Sequence, residues 1–171
     1  MRKKLFYMAV VGWGAAVLVH GLAFVGVDVA SFVPFVWLLH VGIFAVWIPA
    51  VLKMRRAKAL RSVTTAAGQS TSSGHVSKQA PLWLTAVAFA GMAYAVVNFV
   101  VFSSSATSTG EEHGRYYTHN RRKDRQPISA QAYHRLQANE LRGFSGHWIG
   151  FYGMAMAILY PFKKPEEPED V

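Results

Sequence analysis

The chain contains no cysteine and few charged residues. Because none of its 171 residues is cysteine, disulfide bonds, thiolate metal sites and thiol catalysis are excluded. Charged residues make up 16% of the chain, whereas a typical soluble domain carries about 25%. The shortage is concentrated in four stretches without any Asp, Glu, Lys or Arg, which are residues 5–27, 32–52, 79–110 and 143–162.

Each of these stretches is long enough to cross a bilayer. A helix needs about 20 apolar residues to span the hydrocarbon core, and a strong charge placed inside it costs about 2.5–3.5 kcal/mol. We therefore predict an all-α fold, a transmembrane bundle of four helices that forms a single integral membrane domain over residues 1–171. The predicted spans are at about 5–27, 32–52, 81–102 and 143–162.

The formal net charge of +9 is carried by residues between and beside the apolar stretches. Positive charge in these places orients membrane spans and meets lipid headgroups, so it does not indicate nucleic-acid binding. Basic residues at 2–4, 53–61 and 163–164 fall on one side if four spans are crossed in order. We therefore predict both termini in the cytoplasm and the outer segment 103–142 outside, although the basic residues of 111–142 oppose this orientation.

The segments between the spans differ in composition. Residues 62–80 are rich in Ser, Thr, Gly and Ala, which predicts a flexible cytoplasmic linker. Tyr116–Thr118 favour a strand, and the chain is predicted to return as a second short strand that ends near Ile128. Ser129 has the character of an N-cap for a helix over about 130–142, lying on the membrane surface and leading into span four. The outer segment is thus predicted as a small extracytoplasmic β-hairpin plus a surface helix.

The fourth stretch contains a row of glycines. Small residues allow helix backbones to approach closely in a membrane, and Gly-x-x-x-Gly spacing is typical of helix dimers. The row therefore predicts either a self-association face or packing against another helix of the same bundle. Trp148 and Tyr152 lie broadly opposite, where we expect them to face lipid or the interface. At about 100° per residue, the members of the row share one narrow helix face: Gly143, Gly146, Gly150 and Gly153.

Three of the four stretches each contain one histidine, namely His20, His40 and His147. At about 1.5 Å rise per residue, His20 and His40 lie at the same depth in a helical hairpin. Asn98 and His147 lie in an adjacent layer of the outer half of the bilayer. Intramembrane polar residues usually face the bundle interior and mark functional sites. Three interpretations stay open: polar groups satisfied within the bundle, ligation of haem or a transition metal across helices, and binding of protons or a small molecule.

A further polar group lies where the surface helix meets the fourth span. It contains Glu140, Arg142 and Ser145, which with Asn98 are predicted to extend the polar layer around His147. A Ser–His–acid triad is disfavoured because no nucleophile elbow surrounds Ser145. Glu140 and Arg142 are instead expected to pair with the outer loop or with lipid headgroups.

The motif Glu-Leu-Arg-x-Phe-Ser-Gly-His-Trp covers residues 140–148. Together with residues 40–51, it resembles an uncharacterised family of small bacterial four-span integral membrane proteins. The resemblance implies a bacterial origin and a location in the bacterial inner membrane, and it implies no known reaction.

These observations predict a non-catalytic membrane protein that acts as a structural or interaction subunit. Its expected partners are the lipid bilayer and either a membrane protein or further copies of the chain. The alternative is a haem- or metal-binding electron-transfer protein that uses His20, His40 and His147 as ligands.

Overall fold

The computed structural model of the chain describes residues 2–66, 80–105, 108–119 and 125–161. Within these ranges five helices and three strands follow one another, and a short 3₁₀ turn (Pro34–Trp37) precedes the third helix. Their bounds are α1 (Arg2–Phe24), α2 (Val29–Phe32), α3 (Leu38–Ala66), α4 (Leu82–Ser105), β1 (Ser108–Glu112), β2 (Arg115–His119), β3 (Arg125–Ile128) and α5 (Ala130–Leu159).

Within the described part of the chain, three helices are long and apolar enough to cross a membrane. They are Arg2–Phe24, Pro34–Arg56 and Leu82–Ser103, and they overlap the first three predicted spans. The fourth predicted span, residues 143–162, lies mostly in the second half of α5, which is not one of the three.

The position of α5 explains its lower hydropathy. α1, α3 and α4 all pack against it, and its buried residues run from Ala138 to Leu159. Because neighbouring helices cover much of α5, it tolerates Gly, Ser and His where a lipid-exposed helix needs large apolar side chains. The exposed large apolar side chains lie on α1, α3, α4 and the segment between α1 and α3.

Hydrogen bonds define the directions of these helices. Lys53 Nζ and Arg2 Nε donate to the last two carbonyl groups of α5, at 3.1 and 3.3 Å respectively. The carbonyls at a helix end have no partner within the helix, so these two cations donate hydrogen bonds that the helix itself cannot supply. Near the middle of α5, the carbonyl of Gly143 accepts a hydrogen bond from Asn98, which lies near the end of α4. α1 and α4 therefore run antiparallel to α5, and α3 runs parallel to it.

α5 is one continuous helix of 30 residues. The helix predicted over 130–142 is present as the first part of α5, and it continues without a break into the fourth apolar stretch. Gly143, where the two parts meet, packs against α4 and stays helical. The predicted N-cap is confirmed, because the Ser129 side chain accepts a hydrogen bond from Ala132 N at 3.2 Å.

The segment before α5 forms a three-stranded antiparallel sheet in the order β1–β2–β3. The predicted pair is present as β2 and β3, with Tyr116 opposite Ile128. β1 is an addition to the predicted hairpin, because Ser108–Glu112 lacks the alternation that marks a strand in sequence. Its turn to β2 has positive φ at His113 (51°) and Gly114 (72°), as two-residue hairpin turns require.

The sheet lies beside the first half of α5. The ring of Tyr116 in β2 stacks on that of Tyr133 in α5, with 4.5 Å between centroids. The first part of α5 also contacts the loop after α1, because His134 Nδ1 lies 2.8 Å from a carboxylate oxygen of the buried Asp28. These contacts hold the sheet at the end of the helices opposite Arg2 and Lys53.

α3 extends further than its predicted span. It passes through Pro49 and ends at Ala66, so the linker predicted over 62–80 begins later than expected. Residues 67–79 of that linker lie outside the described residues.

Candidate functional site

His20 is the centre of a hydrogen-bonded chain that connects α1, α4 and α5. Its Nδ1 lies 2.8 Å from Ser145 Oγ, and its Nε2 lies 2.5 Å from the hydroxyl of Tyr94. Ser145 Oγ lies in turn 3.3 Å from the carbonyl oxygen of Arg142. His20 and Ser145 are both buried, where a polar atom without a partner is costly.

Two arrangements of protons satisfy this chain. Ser145 Oγ has one proton, and His20 Nδ1 at 2.8 Å is as suitable an acceptor for it as the carbonyl of Arg142 at 3.3 Å. Nε2 of His20 correspondingly accepts from the hydroxyl of Tyr94 or donates to its oxygen. In both arrangements the network connects α1, α4 and α5.

Asn98 makes a second polar contact between α4 and α5. Its Nδ2 donates to the carbonyls of Arg142 and Gly143, at 3.1 and 3.0 Å. A Cβ at Gly146 would lie 2.4 Å from that nitrogen, so glycine leaves the room that the Asn98 side chain occupies. Asn98 and Ser145 thus contact the same carbonyl, and this links the His20 chain to α4.

The glycine row faces other helices of the same chain. A Cβ at Gly143 would lie 2.4 Å from the ring of Phe102, and one at Gly150 would lie 3.1 Å from Ala95 Cβ. At Gly153 the nearest atom, at 3.5 Å, belongs to Trp13 of α1. The row therefore serves close packing within the chain, mainly against α4.

Trp148 and Tyr152 are buried, so the prediction that they face lipid or the interface is wrong. Trp148 is 0% exposed and Tyr152 is 3% exposed. The Tyr152 hydroxyl donates to the carbonyl of Leu39 at 2.8 Å, and its ring lies against Gly12 of α1 and Gly42 of α3. The prediction assumed a lipid side opposite the glycines, but α1 and α3 cover that side of α5.

His40 and His147 have defined tautomers. Trp148 Nε1 donates to His40 Nδ1 at 3.1 Å, and since His40 Nδ1 accepts, the ring is neutral with its proton on Nε2. His147 Nδ1 lies 3.1 Å from the carbonyl of Gly143, which can only accept. Neutral His147 therefore carries its proton on Nδ1 and a lone pair on Nε2. Within the described residues, no hydrogen bond engages Nε2 of either histidine.

The two histidines line one groove, which runs along α3 and is bordered on the side of α4 by Phe99. Its floor is a stripe of α5 formed by Phe144, His147 and Phe151, whose i, i+3, i+7 spacing places them on one face. The groove has a volume of about 580 Å³, and α3 borders it from His40 to Arg55. Apart from His40, Arg55 and His147, the side chains that line the groove are aromatic and aliphatic.

The predicted polar layer is thus divided between two places. His20, Asn98 and Ser145 belong to one network, whereas His40 and His147 lie at the groove. Both ring nitrogens of His20 are engaged, so ligation of a metal would break one of its hydrogen bonds. Among the described residues, no group of three or more His, Asp or Glu side chains is arranged to hold a metal ion.

The two charged members of the predicted layer have other surroundings. The guanidinium of Arg142 lies 5.8 Å from the ring centroid of Phe24, and only its backbone carbonyl joins the network. Glu140 is half-buried and forms no salt bridge with another described residue. The expected pairing of these side chains with the outer loop is not seen in the described residues.

Two residues of the site were not predicted. Tyr94 precedes Asn98 by four positions, so the two lie on one face of α4, and this spacing is a signal that identifies Tyr94 as a partner. Trp148 carries no such signal, because its indole N–H could equally have been directed toward headgroups. Its bond to His40 depends on how α3 packs against α5.

The described residues form a helical protein in which α1, α3 and α4, each apolar enough to cross a membrane, pack around α5. In comparisons with known proteins, no protein-family model, curated protein or solved structure matches the chain.

Proposed function

We propose that the chain is a non-catalytic integral membrane protein that crosses the bacterial inner membrane four times and acts as a structural or interaction subunit. Both termini are in the cytoplasm, and the sheet with the first half of α5 is outside. The bacterial assignment rests on the resemblance of residues 140–148. Its partners are the lipid bilayer and a membrane protein or another copy of the chain.

One observation carries this proposal. Arg2 and Lys53 both bond to the last carbonyls of α5, so the basic ends of the first two spans lie beside the end of α5. Positive charge next to membrane spans collects on the cytoplasmic side. If α1 and α3 cross the membrane, α5 passes through the same depth between them, and its end is cytoplasmic. This supports a fourth membrane crossing by α5, although the composition of α5 alone does not identify it as a membrane span.

The polar network supports a structural role. Both ring nitrogens of His20 are engaged, by Ser145 of α5 and by Tyr94 of α4. The polar groups of this network hold α1, α4 and α5 together.

Cysteine labelling tests the four crossings, because the chain contains no cysteine of its own. Three single-cysteine variants are made: Ser70→Cys in the linker, His113→Cys in the exposed β1–β2 turn, and Val171→Cys at the end of the sequence. In intact cells a membrane-impermeant maleimide should label His113→Cys alone. After lysis all three should be labelled.

The three variants separate the alternatives. Labelling of Ser70→Cys and Val171→Cys with protection of His113→Cys would invert the orientation. Labelling of Val171→Cys together with His113→Cys would mean that α5 does not cross, which overturns the four-span proposal. Protection of all three in cells, with labelling after lysis, would place the sheet in the cytoplasm and also contradict it.

A further inference from the structure

The groove along α3 ends in two histidines that the proposed function does not use. Nε2 of His40 carries a proton and Nε2 of His147 carries a lone pair, as their bonds to Trp148 and Gly143 require. The groove therefore offers one donor and one acceptor. A hydroxyl group is both a donor and an acceptor, so it suits either histidine.

The surroundings limit the rest of the ligand. If α3 and α5 cross the membrane as proposed, these histidines lie within the hydrocarbon, where a charged head is costly. Bilayer acyl chains would give neither nitrogen a partner, and unpaired polar groups in hydrocarbon are unfavourable. The ligand is therefore neutral at this end.

The lining near the histidines is aromatic. Phe99 of α4 packs edge-on against His147 with ring centroids 5.0 Å apart, and Phe44 packs against His40 at 6.1 Å. Phe144 and Phe151 form the floor. Aromatic side chains arranged in this way favour a flat ring, through stacked and edge-on contacts.

The length of the groove requires more than a ring. From His40 to Arg55 is 15 residues of α3, or about 22 Å at 1.5 Å per residue. Its volume of about 580 Å³ is within the range of about 300–1,000 Å³ of ligand pockets. Between its ends it is bordered by aliphatic residues such as Ile48 and Leu52, which suit a hydrocarbon tail.

We infer that this groove binds a neutral lipophile made of a hydroxyl-bearing aromatic ring and a long hydrocarbon tail, the chemistry of a prenylated quinol. The ring hydroxyl accepts from His40 Nε2–H and donates to His147 Nε2, and the tail lies along α3 toward Arg55. This inference rests on the proposed function, since it places the histidines within the bilayer.

The binding test uses the full-length protein in phosphatidylcholine nanodiscs and two matched probes. Decylhydroquinone carries the ring, the tail and the hydroxyl, whereas decylbenzene has the ring and tail without the hydroxyl. A ligand of the native state raises the thermal unfolding midpoint in a saturable way. Decylhydroquinone should do so, and decylbenzene should bind about tenfold more weakly, since tenfold is 1.4 kcal/mol, within the range of buried hydrogen bonds in membranes.

Variants locate the site. His40→Phe and His147→Phe each remove one of the two hydrogen bonds and should each weaken decylhydroquinone binding about threefold, while His113→Phe in the exposed turn should bind as the unaltered protein does. Equal binding of the two probes to the unaltered protein overturns the inference, and this comparison does not depend on any variant. Undiminished binding by both groove variants, or displacement of decylhydroquinone by oleate at equal concentration, overturns it as well. Because the cysteine labelling reads topology alone, its failure and the failure of this binding are separate results.

Discussion

The two packed faces of α5 reach the same tight fit in opposite ways. On the glycine row, α5 contributes backbone and α4 contributes the side chains, such as Phe102 at Gly143 and Asn98 at Gly146. On the other side, α5 contributes the side chain, since Tyr152 lies against Gly12 of α1 and Gly42 of α3.

The comparison shows that, at each of the two interfaces, a glycine on one helix lies against a large side chain of the other. In a membrane, lipid is as apolar as the side chains, so helices associate through close packing and hydrogen bonds. At Gly143, at Gly146 and around Tyr152, an empty position on one helix is filled by a side chain of the other, whereas Gly150 lies against the backbone of α4 at Gly91. Substitutions at Tyr152 and at Gly146 test the two faces separately.

Tyr152→Ala should have the largest effect. It leaves a cavity between Gly12 and Gly42, and aromatic-to-alanine changes in cores cost about 3–5 kcal/mol. We expect about 3 kcal/mol here, the lower end, because lipid already surrounds the ring in the unfolded chain. The free energy of unfolding in mixed detergent micelles measures it. Tyr7→Ala, at an exposed tyrosine of α1, is the matched control, and an equal loss in both would contradict the packing role.

Gly146→Ala should have an intermediate effect. The new Cβ would displace the Asn98 side chain and break its bonds to the carbonyls of Arg142 and Gly143, and overpacking of this kind costs about 1–3 kcal/mol. The same unfolding measurement applies, with Gly14→Ala as the control because nothing lies within 4 Å of a Cβ there. In an Asn98→Ala background the penalty should shrink, since the clashing group is gone. A penalty of the same size in that background would show that another contact causes it.

Tyr152→Phe should have the smallest effect. It keeps the ring and removes only the hydroxyl that donates to Leu39, and hydrogen bonds between membrane helices average about 0.6 kcal/mol. The comparison with Tyr152→Ala separates the ring from the hydroxyl. If both substitutions cost the same free energy of unfolding, the hydrogen bond and not the packing would dominate this face.

Several local features were predictable because their causes are local. The first three spans follow from continuous apolar sequence, and the cap at Ser129 follows from a hydroxyl residue directly before a helix. The pairing of β2 with β3 follows from Tyr116–Thr118. β1 could not be predicted from the sequence, because its polar residues form a strand only when β2 lies beside them.

The site was predictable in its residues but not in its grouping. Intramembrane His20, Asn98 and Ser145 were singled out by their cost in hydrocarbon, and they do meet in one network. His40 was placed at the depth of His20 and His147 at that of Asn98, yet both lie at the groove and not in the network. Depth along a helix can be counted from sequence, whereas rotation about the helix axis depends on the neighbours.

The sequence by itself determined which segments are apolar, how long they are and at what depth each polar group lies, because these quantities follow from residue order and helical rise. Only the tertiary structure decided that α5 is central, that Trp148 and Tyr152 are buried, and that a groove is open along α3. These features depend on which face each helix turns toward its neighbours. That orientation is set by contacts such as those of Tyr152 with Gly12 and Gly42, between residues far apart in the chain.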